Sequence, residues 1–236
     1  MDIGVIKTPT VRNLLVERIA EMIIKGELMP GDRLPTEREL AARTKVSKSA
    51  VHLAMADLER MGFVVTNQRH GTYVADFAKT GNIETLNMII RISGESFGGR
   101  RIQDMLEMRM ALEGKAIELL AQRNDCDLSE LKNILAEAEA YVQSERVIPN
   151  QLAKIFFRFH HQVCVSSGNF ILPLLFNSFD YVTLTFWERA IRSLGAPVCT
   201  ELLHGMYDTL EQRDPEASKQ YLLKEFEQFL NTERSE

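Results

Sequence analysis

Apolar positions early in the chain recur at helical spacing and then switch to a spacing of two, which predicts three helices followed by a hairpin. Over residues 11–25, Leu15, Ile19, Met22 and Ile23 share one face, and Gly26 and the turn Met29-Pro30-Gly31-Asp32 close that helix. Thr36 and Glu39 have the spacing of a capping box, which starts a short helix that runs to about Arg43. After the turn Thr44-Lys45-Val46, Ser47 caps another helix, in which Val51, Ala54, Met55 and Leu58 form one buried stripe before Gly62 ends it. The opposite face of that helix is Ser49, His52, Leu53 and Ala56. Residues 63–66 and 72–75 are β-prone runs joined by Asn67-Gln68-Arg69-His70-Gly71, a hairpin with a basic tip. Helix, tight turn, helix and hairpin in this order make a winged helix-turn-helix over residues 8–76, and the tip is its wing.

Downstream the pattern changes. The polar stretch DFAKTG at 76–81 marks a linker, bounded at 77–82 between the two domains, and every strong pattern after it is helical: 83–92, 101–121, 127–145, 151–166, 170–192, 198–212 and 215–231. Asp127, Pro149-Asn150, Gly168-Asn169, Gly195-Ala196-Pro197 and Asp214-Pro215 punctuate these helices. No internal repeat is present, which argues against a helical solenoid. The expected fold is mainly α, with a winged helix-turn-helix and then an all-α bundle of six or seven helices over residues 83–232.

Composition narrows the function. A chain of 236 residues with 45% hydrophobic content suits one small and one medium domain. No segment approaches the roughly 18 consecutive apolar residues of a membrane helix. MDIGVIKTPT lacks the apolar core of a signal peptide, so a cytoplasmic protein with no membrane partner is expected. Cys126, Cys164 and Cys199 are odd in number with no C-x-x-C spacing, which argues against a disulfide frame or a zinc ribbon. Overall charge is −5, yet residues 1–78 carry 11 Lys/Arg against 10 Asp/Glu. Within residues 33–52 five cations, Arg33, Arg38, Arg43, Lys45 and Lys48, face only Glu37 and Glu39. Such local positive charge beside a helix with small side chains suits phosphates and a DNA major groove. There is no Gly-rich phosphate loop, nucleophile elbow or H-E-x-x-H, so an enzyme is not expected.

The segment PGDRLPTERELAARTKVSKSAVHLAMADLERMGFVVTNQRHGTYV resembles the GntR family of bacterial transcription regulators across the whole N-terminal domain. The resemblance implies a homodimer on a palindromic double-stranded operator, with Arg38 and the recognition helix in the major groove and the wing tip in the minor groove. The candidate DNA-contacting residues are Arg33, Arg38, Lys45, Ser47, Lys48, Ser49, His52, Leu53, Arg69, His70 and Gly71. Lys48, His52 and His70 stand where the family commonly has arginine, and Leu53 where a polar residue is usual. Lysine lacks arginine's bidentate fork, which assigns Lys48 to phosphate and not to base readout. Leu53 reads either as a contact to a thymine methyl or as an isolated surface leucine.

The later helices resemble the FCD-type effector domain of the FadR branch. The matching residues are Glu107-Met108-Arg109 with Glu113, HHQVCVSSGN at 160–169 and MYDTLEQRDPEAS at 206–218. The resemblance implies a ligand-responsive repressor or activator. Many members of that branch hold a metal on an Asp, a His four residues later, and two histidines from the last two helices. Here His160 holds the first His position, but Phe156 occupies that of the Asp, Leu203 the second His with His204 one residue off, and Glu225 the third. A divalent metal on His160, His204 and Glu225 is therefore an alternative to an organic effector held by Arg109, His160, His204 and Glu225. That effector would be a small acid, as a carboxylate, or an acyl thioester. Arg109 with Glu113 at i+4 also reads as a structural ion pair, and His160 as a core histidine. A further reading is a constitutive architectural dimer whose bundle only holds the two copies together.

Overall fold

The computed structural model describes residues 9–94 and 100–233, and these fall into two compact units that meet in sequence at Gly94. The first contains α1 (Val11–Ile24), α2 (Glu37–Thr44), α3 (Lys48–Arg60), strands β1 (Val64–Asn67) and β2 (Gly71–Val74), α4 (Phe77–Thr80) and α5 (Ile83–Ser93). The second contains α6 (Arg100–Ala121), α7 (Ser129–Val142), α8 (Pro149–Ser166), α9 (Ile171–Ser178), α10 (Asp180–Leu194), α11 (Ala196–Glu211) and α12 (Pro215–Glu233). Among the described residues the only sheet is the β1–β2 hairpin, and no helix is long and apolar enough to cross a membrane.

Local chemistry sets the first unit's boundaries. Thr36 and Glu39 form the expected reciprocal capping box at the start of α2, and Ser47 accepts from Ala50 N at the start of α3. The turn between them closes on Lys45 in the left-handed region at φ 59°. Val51, Ala54, Met55 and Leu58 bury the inner face of α3 against Leu15, Val16, Ile19 and Ile23 of α1. Phe63, Val64 and Val74 of the hairpin complete this core. The hairpin is antiparallel, with Val64 opposite Val74 and Asn67 opposite Gly71.

The expected linker and the helix after it pack within this first unit. Met88 of α5 belongs to its core, with Ile89 and Ile92 packed alongside. The polar residues that suggested a linker are used as fasteners. Thr80 donates from Oγ1 to Gly62 O at 2.8 Å, and Asn82 caps α5 while donating from Nδ2 to Arg60 O at 2.8 Å. Ion pairs from Arg60 to Glu84 and from Arg91 to Glu17 hold α5 to α3 and α1. Gly62 adopts φ +74°, and a Cβ there would stand 2.3 Å from Thr80 O, so this junction admits only glycine. Of the glycines at the boundary, Gly98 and Gly99 lie outside the described residues.

In the second unit α8 packs against α6, α7, α9 and α10, and α11 and α12 pack against each other. The single helix expected over 170–192 is two helices, broken at Phe179. Ser178 and Asp180 flank the break and use their side chains on the local backbone, Ser178 Oγ donating to Leu174 O at 3.0 Å and Asp180 Oδ1 accepting from Tyr181 N at 2.5 Å. Such local bonds compete with a continuous helix. Arg213, at φ 58°, donates to Leu120 O at 3.2 Å and Cys126 O at 2.8 Å, which ties the α11–α12 turn to the end of α6 and the segment that follows it.

Candidate functional site

Two groups of residues carry chemistry, one in each unit. In the first, α3 turns Lys48, Ser49, His52, Leu53 and Ala56 to solvent, and Leu53 is 46% exposed. Arg33, Arg38, Lys45, Ser47, Arg69 and His70 are exposed beside it. Ser47 Oγ lies 3.2 Å from Ser49 Oγ, and His52 Nδ1 lies 2.9 Å from Glu37 Oε1. At the wing, Gly71 adopts φ +110° and the Arg33 guanidinium packs over it, with Nε 3.0 Å from where a Cβ would be. Any side chain here would push Arg33 away.

Ion pairing separates this face from the rest of the unit. Arg12 makes a two-pronged pair with Asp57 at 2.6 Å, and Arg60 and Arg91 are paired to α5 and α1 as described. Arg33, Arg38, Arg43, Lys45, Lys48 and Arg69 make no ion pair among the described residues. Unpaired exposed cations beside a helix with small side chains form the surface that DNA phosphates and base edges require.

The second group lies in the core of the bundle. Arg109, Glu113, His160 and Glu225, from α6, α8 and α12, are each 2% exposed or less. Arg109 Nε donates to Glu113 Oε1 at 2.6 Å. His160 Nδ1 stands 2.7 Å from the other Glu113 oxygen without the alignment of a hydrogen bond, and its Nε2 stands 3.8 Å from Glu225 Oε2. The Arg109 guanidinium also lies over the rings of Phe186, Trp187 and Phe226, at 5.0 to 5.4 Å, and Trp187 stacks on His160 at 5.2 Å. Both terminal nitrogens of Arg109, both oxygens of Glu225 and the indole nitrogen of Trp187 are buried without a hydrogen-bond partner among the described residues. Buried polar atoms are nearly always satisfied, so a cluster of open ones makes this the candidate binding place of the second unit.

The two carboxylates differ electrostatically. Burial pushes the Glu113 carboxyl up, but Arg109 and His160 outweigh it and hold it at about 2. Burial lifts Glu225 to about 7, because Glu113 repels it and the pull of His160 and Arg109 is too weak to compensate. A raised carboxyl binds a proton in the folded state that the unfolded chain has released. The penalty is absent below the unfolded value near 4.5, grows as pH rises, and is complete above about 7. Glu225→Gln is therefore expected to stabilise the protein at pH 8 relative to pH 5, by up to about 3 kcal/mol. Urea unfolding of both proteins at the two pH values checks this, and equal stability differences at both would refute it.

The structure separates the candidate effector residues. Arg109, His160 and Glu225 come together, but His204 lies about half exposed on α11, with Nδ1 2.6 Å from Glu139 Oε1. It lines an open groove of about 1020 Å³ with Glu139, Asp208, Tyr221 and Lys224. Leu203 takes the inward position, because one residue turns a helix by about 100°. Phe156 is fully buried, packed edge-on to Trp187. The set His160, His204 and Glu225 does not assemble, and among the described residues no group of three or more His, Cys, Asp or Glu side chains is arranged to hold a metal ion. The residues present do not fit the metal that many FCD-type domains hold. Burial raises the Cys164 thiol and lifts the Cys199 thiol to about 12, so neither supplies a thiolate near neutral pH. Sequence reasoning missed Phe226, whose ring covers Arg109 from α12, and nothing in the local pattern distinguishes it from other core aromatics.

Comparison with known proteins gives the same two-part division. The pattern of the bacterial regulatory proteins of the gntR family matches residues 12–74, and that of the FCD domain matches residues 104–227. The HTH-type transcriptional regulator LutR of Bacillus subtilis is 31% identical over 157 residues, covering 66% of this chain and 68% of LutR. The uncharacterized HTH-type transcriptional regulator YcbG of the same organism is 24% identical over 216 residues, 91% of this chain and 86% of YcbG. Among solved structures, one described as Lar, which controls the expression of the Listeria monocytogenes agr system, aligns over 98% of this chain and 99% of its own, with a TM-score of 0.63 at 16% identity. At that identity the likeness concerns the fold.

Proposed function

Because the chain belongs to the GntR family of bacterial transcription regulators and carries an FCD domain, we propose that it binds an inverted-repeat operator as a homodimer and that a small carboxylate held on Arg109 changes its affinity for DNA. The chain is a DNA-binding transcription regulator and not an enzyme. Operator symmetry, dimerisation and effector chemistry are the proposed part.

One recognition helix covers a single half-site, so a two-fold dimer supplies the second and sets their spacing at about one helical turn. Arg33, Arg38, Lys45, Ser47, Lys48, Ser49, His52 and Leu53 would meet one half-site, with Arg69, His70 and Gly71 at the adjacent groove. The observation that carries the effector reading is the pair of open terminal nitrogens on a fully buried Arg109. A guanidinium fork matches a carboxylate in two parallel hydrogen bonds. A bundle that served only to dimerise would gain nothing by burying an arginine with four of its five N–H donors unused. For the ligand to act on DNA binding it must prefer one spacing of the two recognition helices over another.

Selection of binding sequences from random duplex DNA by the purified protein tests the first half of the proposal. The expected product is an inverted repeat with half-site centres about 10 base pairs apart or a multiple of that. Enrichment of a single unrepeated site would contradict it.

A further inference from the structure

We propose that the buried cluster takes a small zwitterion, an amino acid whose carboxylate seats on Arg109 and whose ammonium seats on Glu225, with no metal ion between ligand and protein. The inference rests on the reading of Arg109 as an effector anchor and adds the second end of the ligand. Arg109 donates through Nε to Glu113 and keeps two terminal nitrogens open, so an occupant must offer an acceptor there. Neither Glu225 oxygen has a hydrogen-bond partner among the described residues, and the ionised carboxylate is completed by a donor from the same occupant. Glu113, which holds Arg109, and Glu225 face opposite edges of one imidazole, at Nδ1 and Nε2 of His160, so the two carboxylates are held apart by a single ring.

Charge selects among ligands with both groups. Arg109 and Glu113 already neutralise each other. A hydroxy acid would bring an uncompensated negative charge beside the buried Glu113 and Glu225, and an unpaired charge in a dry interior is costly. An amino acid brings its own cation and adds no net charge. A metal would lack protein ligands here, with Phe156 and Leu203 buried at two of the positions. Arg109 supplies the positive charge in its place.

The test is a thermal-shift and calorimetric series on the full-length protein stripped with EDTA. Amino acids are matched with their 2-hydroxy counterparts: alanine with lactate, aspartate with malate, phenylalanine with phenyllactate, leucine with 2-hydroxyisocaproate. The proposal expects at least one amino acid to raise the melting temperature without added metal and to bind about tenfold or more tightly than its hydroxy counterpart, because a site built to pair a given group rejects an analogue that lacks it. Glu225→Gln should erase that preference while the protein still folds. A hydroxy acid that binds as well as its amino partner, or an amino acid that binds only with added zinc or manganese, overturns the zwitterion and leaves the carboxylate reading standing. If no acid in the series shifts the melt, both fall. Should Glu225→Gln fail to fold, the wild-type comparison within each pair still decides the question.

Discussion

Arg109→Ala is expected to lower the stability of the helical unit by about 3–5 kcal/mol, the usual consequence of removing one partner from a buried ion pair. The effect is large because Glu113 is held charged, near a value of 2, largely by this guanidinium in a site closed to solvent. Without Arg109 the carboxylate must bind a proton or remain buried with only His160 beside it. Replacing Arg109 and Glu113 together by apolar residues of similar volume should cost less than either single change, since it removes both desolvated charges at once. Urea unfolding of the two single variants and the double variant measures this. Single and double costs that simply add would show that the pair is not coupled. Acid gives a second signature. Glu113 has a depressed folded value, so its contribution is present above about 4.5 and is lost as pH falls towards about 2.

On DNA, Arg38→Ala is expected to weaken operator binding by ten- to a hundredfold, the usual value of a lost arginine–base contact in the major groove. Arg38 is exposed and makes no ion pair among the described residues, so the loss should come with little change in folding stability. Arg38→Lys should recover phosphate attraction but not base discrimination, because lysine lacks the fork. Lys48→Ala should act differently, weakening all sequences alike and flattening the slope of log affinity against log salt by about 1. Fluorescence anisotropy with the selected operator and a scrambled duplex, at several salt concentrations, separates the two. An Arg38→Ala variant that keeps wild-type affinity and discrimination would remove this residue from the reading face.

What the sequence disclosed and what it concealed have a common physical origin. The capping box at Thr36 and Glu39, the Ser47 cap and the Val51–Leu58 stripe are local features fixed within a turn or two of helix, and each is realised as spaced. Arg109 and Glu113 are legible for the same reason, four residues apart on one helix. The rest of the cluster depends on contacts distant in sequence. His160 has an inward face, but periodicity does not reveal that it lies between carboxylates from α6 and α12. His204 shows the opposite limit, since a neighbour in sequence to an inward leucine points to solvent and bonds Glu139. The polar, glycine-containing stretch DFAKTG reads as a linker, and the helix over 83–92 reads as part of the effector domain because it follows that stretch. The polarity of Thr80, Asn82 and Glu84 serves junctions with Gly62 and Arg60 that no local pattern announces.

The central claim is that one chain reads DNA with its winged helix-turn-helix and senses a small acid at Arg109, so the two affinities must be linked. The most direct measurement is the operator Kd of wild type and Arg109→Lys, with and without a saturating amount of whichever acid most raises the wild-type melting temperature. Lysine keeps a positive charge for Glu113 but loses the fork that would grip the acid. The account predicts a change in Kd of about fivefold or more in wild type, within the usual range of allosteric coupling, and no change in the variant. An unchanged Kd in wild type, or an equal change in both proteins, would contradict it.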